Sequence, residues 1–319
     1  MNSLHVIVRY ALAILPLICI SSSCKTDYSK TESIETGNTI PAILMPGKVS
    51  TGMHEHGAPV FSPSNDIFLW TISLNGQKII LQLKTNSSDD DSPEVVPFSG
   101  RYRDEYPVFS PDGNTVYFMS WRPDNPGDNP LPSFRHWKAE REDQQWKKPS
   151  LNNLFHNDLW AYSMSSSGTL FGWASFEKGR DDADIYFQNR TEKGYSEPIN
   201  AGDSINSDAI DYCPYISADE SFIVFGRMGL GELDGLYLSY KKSDGRWSKA
   251  KRLPEIINSG KAERFPSVSP DMKTLFFNRQ DIAYLPASKT AKKYMDVVES
   301  WLKEPANGNI YYISTDKIY

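Results

Sequence analysis

Cysteine is scarce: the 319 residues contain three, and two of them, Cys19 and Cys24, fall near the N-terminus. Cys213 is left alone in the body of the chain, so no internal disulfide can be drawn there. It stands at an apolar strand position and reads as a small packing residue. Long hydrophobic runs are missing too. The apolar stretch from Ala11 to Ile20 is too short to cross a bilayer as a helix. An excess of basic charge is absent: 34 Lys and Arg face 40 Asp and Glu, for a net charge of −6, which disfavours attraction to nucleic acid phosphates. No Gly-x-Ser-x-Gly elbow, phosphate loop or dinucleotide fingerprint stands out, and no cofactor is expected.

What is present begins with "MNSLHVIVRYALAILPLICISSSCK", in which Arg9 precedes the apolar run and three serines lead into Cys24. This resembles a bacterial lipoprotein signal, so residues 1–23 are expected to be removed and Cys24 lipidated. Residues 24–40 have few large apolar groups and read as a flexible tether, leaving 41–319 as the folded body. The expected location is the bacterial cell envelope, periplasmic or at the outer-membrane surface, held by the lipid anchor only. At 39% hydrophobic and 13% aromatic, the composition supports a sizeable core.

The body repeats one sentence. "APVFSPSNDIFLW" from Ala58, "YPVFSPDGNTVYFMS" from Tyr106, "AYSMSSSGTLFGW" from Ala161, "CPYISADESFIVF" from Cys213 and "FPSVSPDMKTLFF" from Phe265 share an extended segment, a serine, a turn and a second strand rich in β-branched and aromatic residues. Their anchor serines are Ser62, Ser110, Ser165, Ser217 and Ser269, spaced by 48, 55, 52 and 52 residues. A period of that length built from short strands predicts propeller blades, each a four-stranded antiparallel meander whose inner hairpin is the repeated sentence. The last repeat stops at Tyr319 without a fourth strand, whereas "PAILMPGKVSTGMHE" precedes the first hairpin. The N-terminal stretch is therefore expected to supply the outer strand of the last blade and close the ring. Within that blade, "SKTAKKYMDVVESWLKEP" places Tyr294, Val297, Val298, Trp301 and Leu302 at helical spacing, predicting an inserted helix near 288–303.

The pattern Pro-x-x-Ser-Pro-Asp-Gly, with the "DIY" and "WS" segments that follow it, resembles the TolB-type, WD40-like propeller repeat of bacterial envelope proteins. The resemblance covers nearly all of 41–319. TolB-type propellers have six blades; five sentences can be counted here, so the expectation is five, with six as the alternative. The hydrolase domain that accompanies propellers in prolyl-oligopeptidase-like peptidases is not expected, and the "SPDG" turn differs from a sialidase Asp box.

In a meander, the links from strand two to strand three and from strand four to the next blade lie on one face, opposite the Ser-Pro-Asp-Gly turns. Candidate binding residues gather there: Glu55, Asp104, Glu105, Asp158, Asp211 and Glu263 before the inner strands, and Arg122, Arg227 and Arg279 after the second strands. They form either a polar funnel for a cation, a sugar or a basic peptide, or a set of ion pairs that hold the blades. His56 in blade one and Trp160 in blade three break the repetition and mark where a site would differ from it. His54 and His56 could offer two imidazoles to zinc, but no supporting motif accompanies them and no metal is assigned. The expected function is a non-catalytic protein- or glycan-binding or scaffold module acting as a monomer, using the acidic mouth and the loops of blades two and five. The alternative is a carbohydrate-active hydrolase or lyase with its carboxylates at the channel.

Overall fold

A computed structural model of the chain describes residues 39–51, 54–55, 57–74, 77–86, 88, 91–125, 127–176, 183–229, 234–283 and 308–318, all within the compact unit Glu32–Tyr319. The signal segment, Cys24, His56 and the stretch expected to form the helix near 288–303 lie outside the described residues.

Among the described residues, five antiparallel sheets of four or five strands follow one another along the chain and make a five-bladed β-propeller, and a sixth, two-stranded sheet pairs Arg190–Thr191 with Gly194–Tyr195. The first blade pairs His54–Glu55 and Val60–Phe61 with Ile67–Leu74, then Gln77–Lys84 and Glu94–Val95. Asp104–Phe109, Thr115–Ser120 and Arg135–Glu142 form the second, with Gln145–Trp146 and Ser150–Leu151 outermost. Blade three runs through Trp160–Met164, Leu170–Ala174, Asp184–Gln188 and Ile199–Asn200. In blade four the strands are Ile210–Ile216, Phe222–Met228, Gly235–Tyr240 and Lys251–Arg252. Blade five contains Lys261–Val268, Thr274–Ala283 and Gly308–Ser314, and its outer strand is Ala42–Ile43.

That outer strand closes the ring from the opposite end of the chain. Ala42 pairs with Tyr312 and Ile43 with Tyr311, Leu44 donates its N–H to the Ile310 carbonyl at 2.8 Å, and the Ser50 hydroxyl exchanges hydrogen bonds with both backbone groups of Ile310. Leu44 and Val49 are buried among Phe68, Trp70, Phe276 and Ile310, so the same short stretch fastens blade five to blade one. The strand pairing removes the open edges that a linear array would leave.

The repeated serine explains the inner hairpins. In blade two the Ser110 N–H reaches the Thr115 carbonyl, its hydroxyl donates to Asp112 at 2.5 Å, and the Thr115 N–H returns to that hydroxyl at 3.0 Å. The residue three places after each anchor serine, namely Asn65, Gly113, Gly168, Glu220 and Met272, has a positive φ of 54°, 73°, 85°, 60° and 59°. The turn requires a left-handed residue there, and glycine supplies it without strain in two of the five blades. Blade three lacks the turn carboxylate, and blade four provides it: Glu220 accepts from Ser165 and Ser167 at 2.9 and 2.6 Å. Blade one uses Asp66, which bonds Ser62 and Ser64 and pairs with Arg141 of blade two at 3.0 Å. Apolar clusters fill the spaces between the blades, as between Phe118 and Trp137 of blade two and Leu69 and Ile80 of blade one.

Candidate functional site

Asp104, Asp211 and Glu263 begin the inner strands of blades two, four and five, and all three are fully buried, at 0% exposure. Each is held by an arginine: Arg122 at 2.7 Å, Arg227 at 2.6 Å and Arg279 at 3.0 Å. The same guanidinium also donates to a backbone carbonyl six residues before its acid, at Phe98, Ile205 and Ile257. It lies over two rings of its own blade: Phe118 and Trp137, Phe225 and Tyr237, Phe277 and Tyr311. Two acids receive further bonds from a serine four residues upstream, through the N–H and hydroxyl of Ser207 to Asp211 and of Ser259 to Glu263. Burial pushes all three carboxyls upward against the pull of these donors, Asp211 to about 6. Each unit thus ties strand one, strand two and the incoming loop together.

The same three blades share a backbone feature. Tyr106, Cys213 and Phe265, each directly before a proline and two residues after the buried acid, have φ of 55°, 49° and 51°. For such side chains the left-handed region costs roughly 1–3 kcal/mol. The strand register shifts at each of these points, between Glu105 and Val108, Tyr212 and Tyr215, and Arg264 and Ser267. The side chains meet around the axis: the Tyr106 and Phe265 rings are 5.8 Å apart, and Cys213 packs in one cluster with Phe265 and Trp173. The Cys213 thiol is buried, and burial raises it well above its usual range, so it is an inert packing group.

Blade three departs from this scheme. Where blades four and five pair an acid with an arginine, Asp211 with Arg227 and Glu263 with Arg279, Trp160 pairs with Trp173. Trp160 lies against Phe134 and Trp121 at 4.5 and 6.2 Å, and the Arg103 guanidinium sits 4.1 Å over the Trp121 ring. Trp121 and Trp160 are half-buried, and Arg103 keeps about 30% of its side chain exposed while pairing with the buried Glu105 at 2.9 Å. An aromatic and cationic patch therefore occupies one sector of this face. Beside it, Lys78 is buried with no hydrogen-bond partner for its amine among the described residues. Burial, opposed by Glu105 and reinforced by Arg103 and Arg264, brings it down to about 7. Arg264 is buried as well and bonds Gln280.

Of the remaining candidates, Asp158 is largely exposed on the loop before blade three, where its N–H bonds the His156 imidazole. Glu55 pairs with Ile72 through the backbone. Among the described residues no group of three or more His, Cys, Asp or Glu could hold a metal ion. Arg103, Lys78 and the capping serines were not singled out from the sequence, whereas Trp121 opens the blade-two loop "WRPDNPGDNPLPSFRHW", whose Pro, Asn and Trp content is that of a binding loop. A signal existed for the serines, since "INS" precedes the acid in both "INSDAID" and "INSGKAE".

No family model and no curated protein matches the chain. Among solved structures it is similar to α-L-arabinofuranosidase from Lactobacillus brevis, at 12% identity over 84% of this chain and 92% of that one, with a TM-score of 0.52. That likeness shows the fold. The chain is a five-bladed β-propeller. It is also similar to TolB from Agrobacterium tumefaciens, at 17% identity over 70% of both chains with a TM-score of 0.42. A TolB structure from Acinetobacter baumannii is matched at 20% identity over 62% of this chain, with a TM-score of 0.38, and the match covers 45% of the Acinetobacter chain. Propellers carry unrelated activities, so chemistry has to be argued from the residues.

Proposed function

We propose that this propeller is a non-catalytic binding module of the bacterial cell envelope, engaging a protein or glycan through the face that bears Trp160. The observation that carries the reading is the burial of Asp104, Asp211 and Glu263 at 0% exposure, each behind its own arginine. A glycosidase needs two carboxyls that reach the substrate from either side of the scissile bond, about 5–10 Å apart. These three accept from arginines and serines instead, and the arginines in turn donate to the loop carbonyls. The exposed part of the face offers what a binding site uses: the edges of Trp121 and Trp160 and the Arg103 guanidinium, which can stack on a sugar or a planar side chain and donate hydrogen bonds. Lipidation of Cys24 would hold the module at a membrane; among the described residues no helix is long and apolar enough to cross one.

The test is a panel of envelope glycans and peptides screened for binding and for hydrolysis with the wild type, Trp160→Ala and Arg103→Ala. The reading expects a ligand whose affinity falls at least tenfold in both variants, with thermal unfolding little changed and no product formed. Release of product from any glycan at a rate that collapses in Asp211→Asn would replace it with the carbohydrate-active alternative. The anchor is tested separately: Cys24→Ser should move the protein from the membrane fraction to the soluble fraction, and an unchanged distribution would remove it from the account.

A further inference from the structure

The opposite end of the channel, on the side of the Ser-Pro-Asp-Gly turns, is a cavity of about 180 Å³. Its walls repeat the inner-strand sentence five times. Tyr106, Cys213 and Phe265 lie at its inner end, and the turn residues Pro63, Pro111 and Pro270 line it at the outer end. The strained backbone before each proline thus has a consequence on this side too, since it presents those three side chains to the cavity.

Two properties of the lining restrict what would enter. No Asp, Glu, Lys, Arg or His is among the described residues that form it, so an ion would lose its hydration without gaining a counter-charge from them. The lining is nevertheless not purely hydrocarbon. Thr71 belongs to it, and its hydroxyl is buried with no hydrogen-bond partner among the described residues, whereas the Tyr162 ring turns away to pack on His136 and Phe155. A buried hydroxyl left unsatisfied costs about 1–3 kcal/mol, which a ligand bearing an acceptor or donor would relieve. An apolar cavity of about 150 Å³ takes up benzene, so this volume suits one ring with a small substituent.

We propose that this end of the channel is a binding site for a small, uncharged, ring-sized apolar molecule carrying a hydroxyl or carbonyl group. It is separate from the Trp160 face, with Tyr106, Cys213 and Phe265 packed between the two. Binding of such a molecule draws on apolar contact and one hydrogen bond, and is therefore insensitive to salt.

The probes are benzyl alcohol, toluene, benzoate and benzylammonium, titrated calorimetrically into the folded protein at low and high salt. The expected result is saturable one-to-one binding of benzyl alcohol that is unchanged by salt, with both ions at least tenfold weaker. Thr71→Val should weaken benzyl alcohol about 3–10-fold while leaving toluene unaffected, the range expected for one hydrogen bond. Ala218→Trp, at an exposed position of the lining where folding is not at stake, should abolish binding, and Trp160→Ala should leave it intact. Absence of saturable binding by both neutral probes, equal binding of benzoate, or full affinity in Ala218→Trp would overturn the assignment.

Discussion

Lys78 shows most plainly what a single side chain costs this fold. Its amine is buried with no hydrogen-bond partner among the described residues, and burial, opposed by Glu105, brings it down to about 7 from an ordinary 10.5. Between those two values the unfolded chain holds a proton that the folded chain does not, so stability rises with pH across that window. Below pH 7 both states are protonated and the full penalty stands. Lys78→Met, of similar length and without charge, should therefore raise the melting temperature at pH 6–7 by roughly 2–4 °C, with the gain shrinking toward pH 10. An unchanged or lowered melting temperature at pH 6, measured by calorimetry, would show that the amine has a partner. Sequence alone did not expose this residue. In "QKIILQLK" a lysine beside an alternating apolar pattern reads as a solvated position, whereas the register turns Lys78 to the same side as Ile80, against blade two. His136 was equally hidden: its ring is enclosed by Phe134, Phe155 and Tyr162, and burial lowers it to about 4, neutral at ordinary pH.

At the scale of the hairpin, the turn was the legible part. Five serines at regular spacing announced the blades, because each turn needs the same hydroxyl and the same left-handed residue three places later. The exception shows where spacing runs out. Blade three writes "SSSG" without an acid, and the carboxylate comes from Glu220, 55 residues away from Ser165. Such a substitution in trans leaves no trace within the repeat that needs it. Burial works against the Glu220 charge, but the Lys241 amine and the hydroxyls of Ser167, Thr169 and Ser165 hold it at about 2 rather than 4.5. Because the folded value lies below the unfolded one, this contribution is complete above about pH 4.5 and disappears as pH falls toward 2. Glu220→Gln should thus lower the melting temperature at pH 7 by roughly 1–3 °C and bring no penalty near pH 2. Equal losses at both pH values would mean that the carboxylate charge contributes nothing. The acid and arginine of each staple were also visible in the sequence. Their burial and the loop carbonyl that completes the unit were not, since these depend on how the incoming loop folds back over the blade.

The whole molecule depends on how the ring is closed and on what its repeated charges do. Closure was readable from the missing last strand, and Leu44 now gives it an energetic handle because it is 1% exposed against the hydrophobic side chains of blades one and five. Leu44→Ala should cost about 2–5 kcal/mol in urea unfolding; a cost below 0.5 kcal/mol would mean that the clasp is not part of the cooperative unit. The charges decide the function. If the three acid–arginine units are staples, their value is structural and non-additive; if they are catalytic, it is chemical. The most direct measurement is a double-mutant cycle on Asp211 and Arg227, by urea unfolding with glycan hydrolysis assayed in parallel. The account predicts that Arg227→Met alone costs about 3–5 kcal/mol by stranding a buried carboxylate, that the double variant with Asp211→Asn recovers at least half of that, and that no variant alters glycan turnover. Additive losses together with a hydrolytic activity abolished by Asp211→Asn would contradict it.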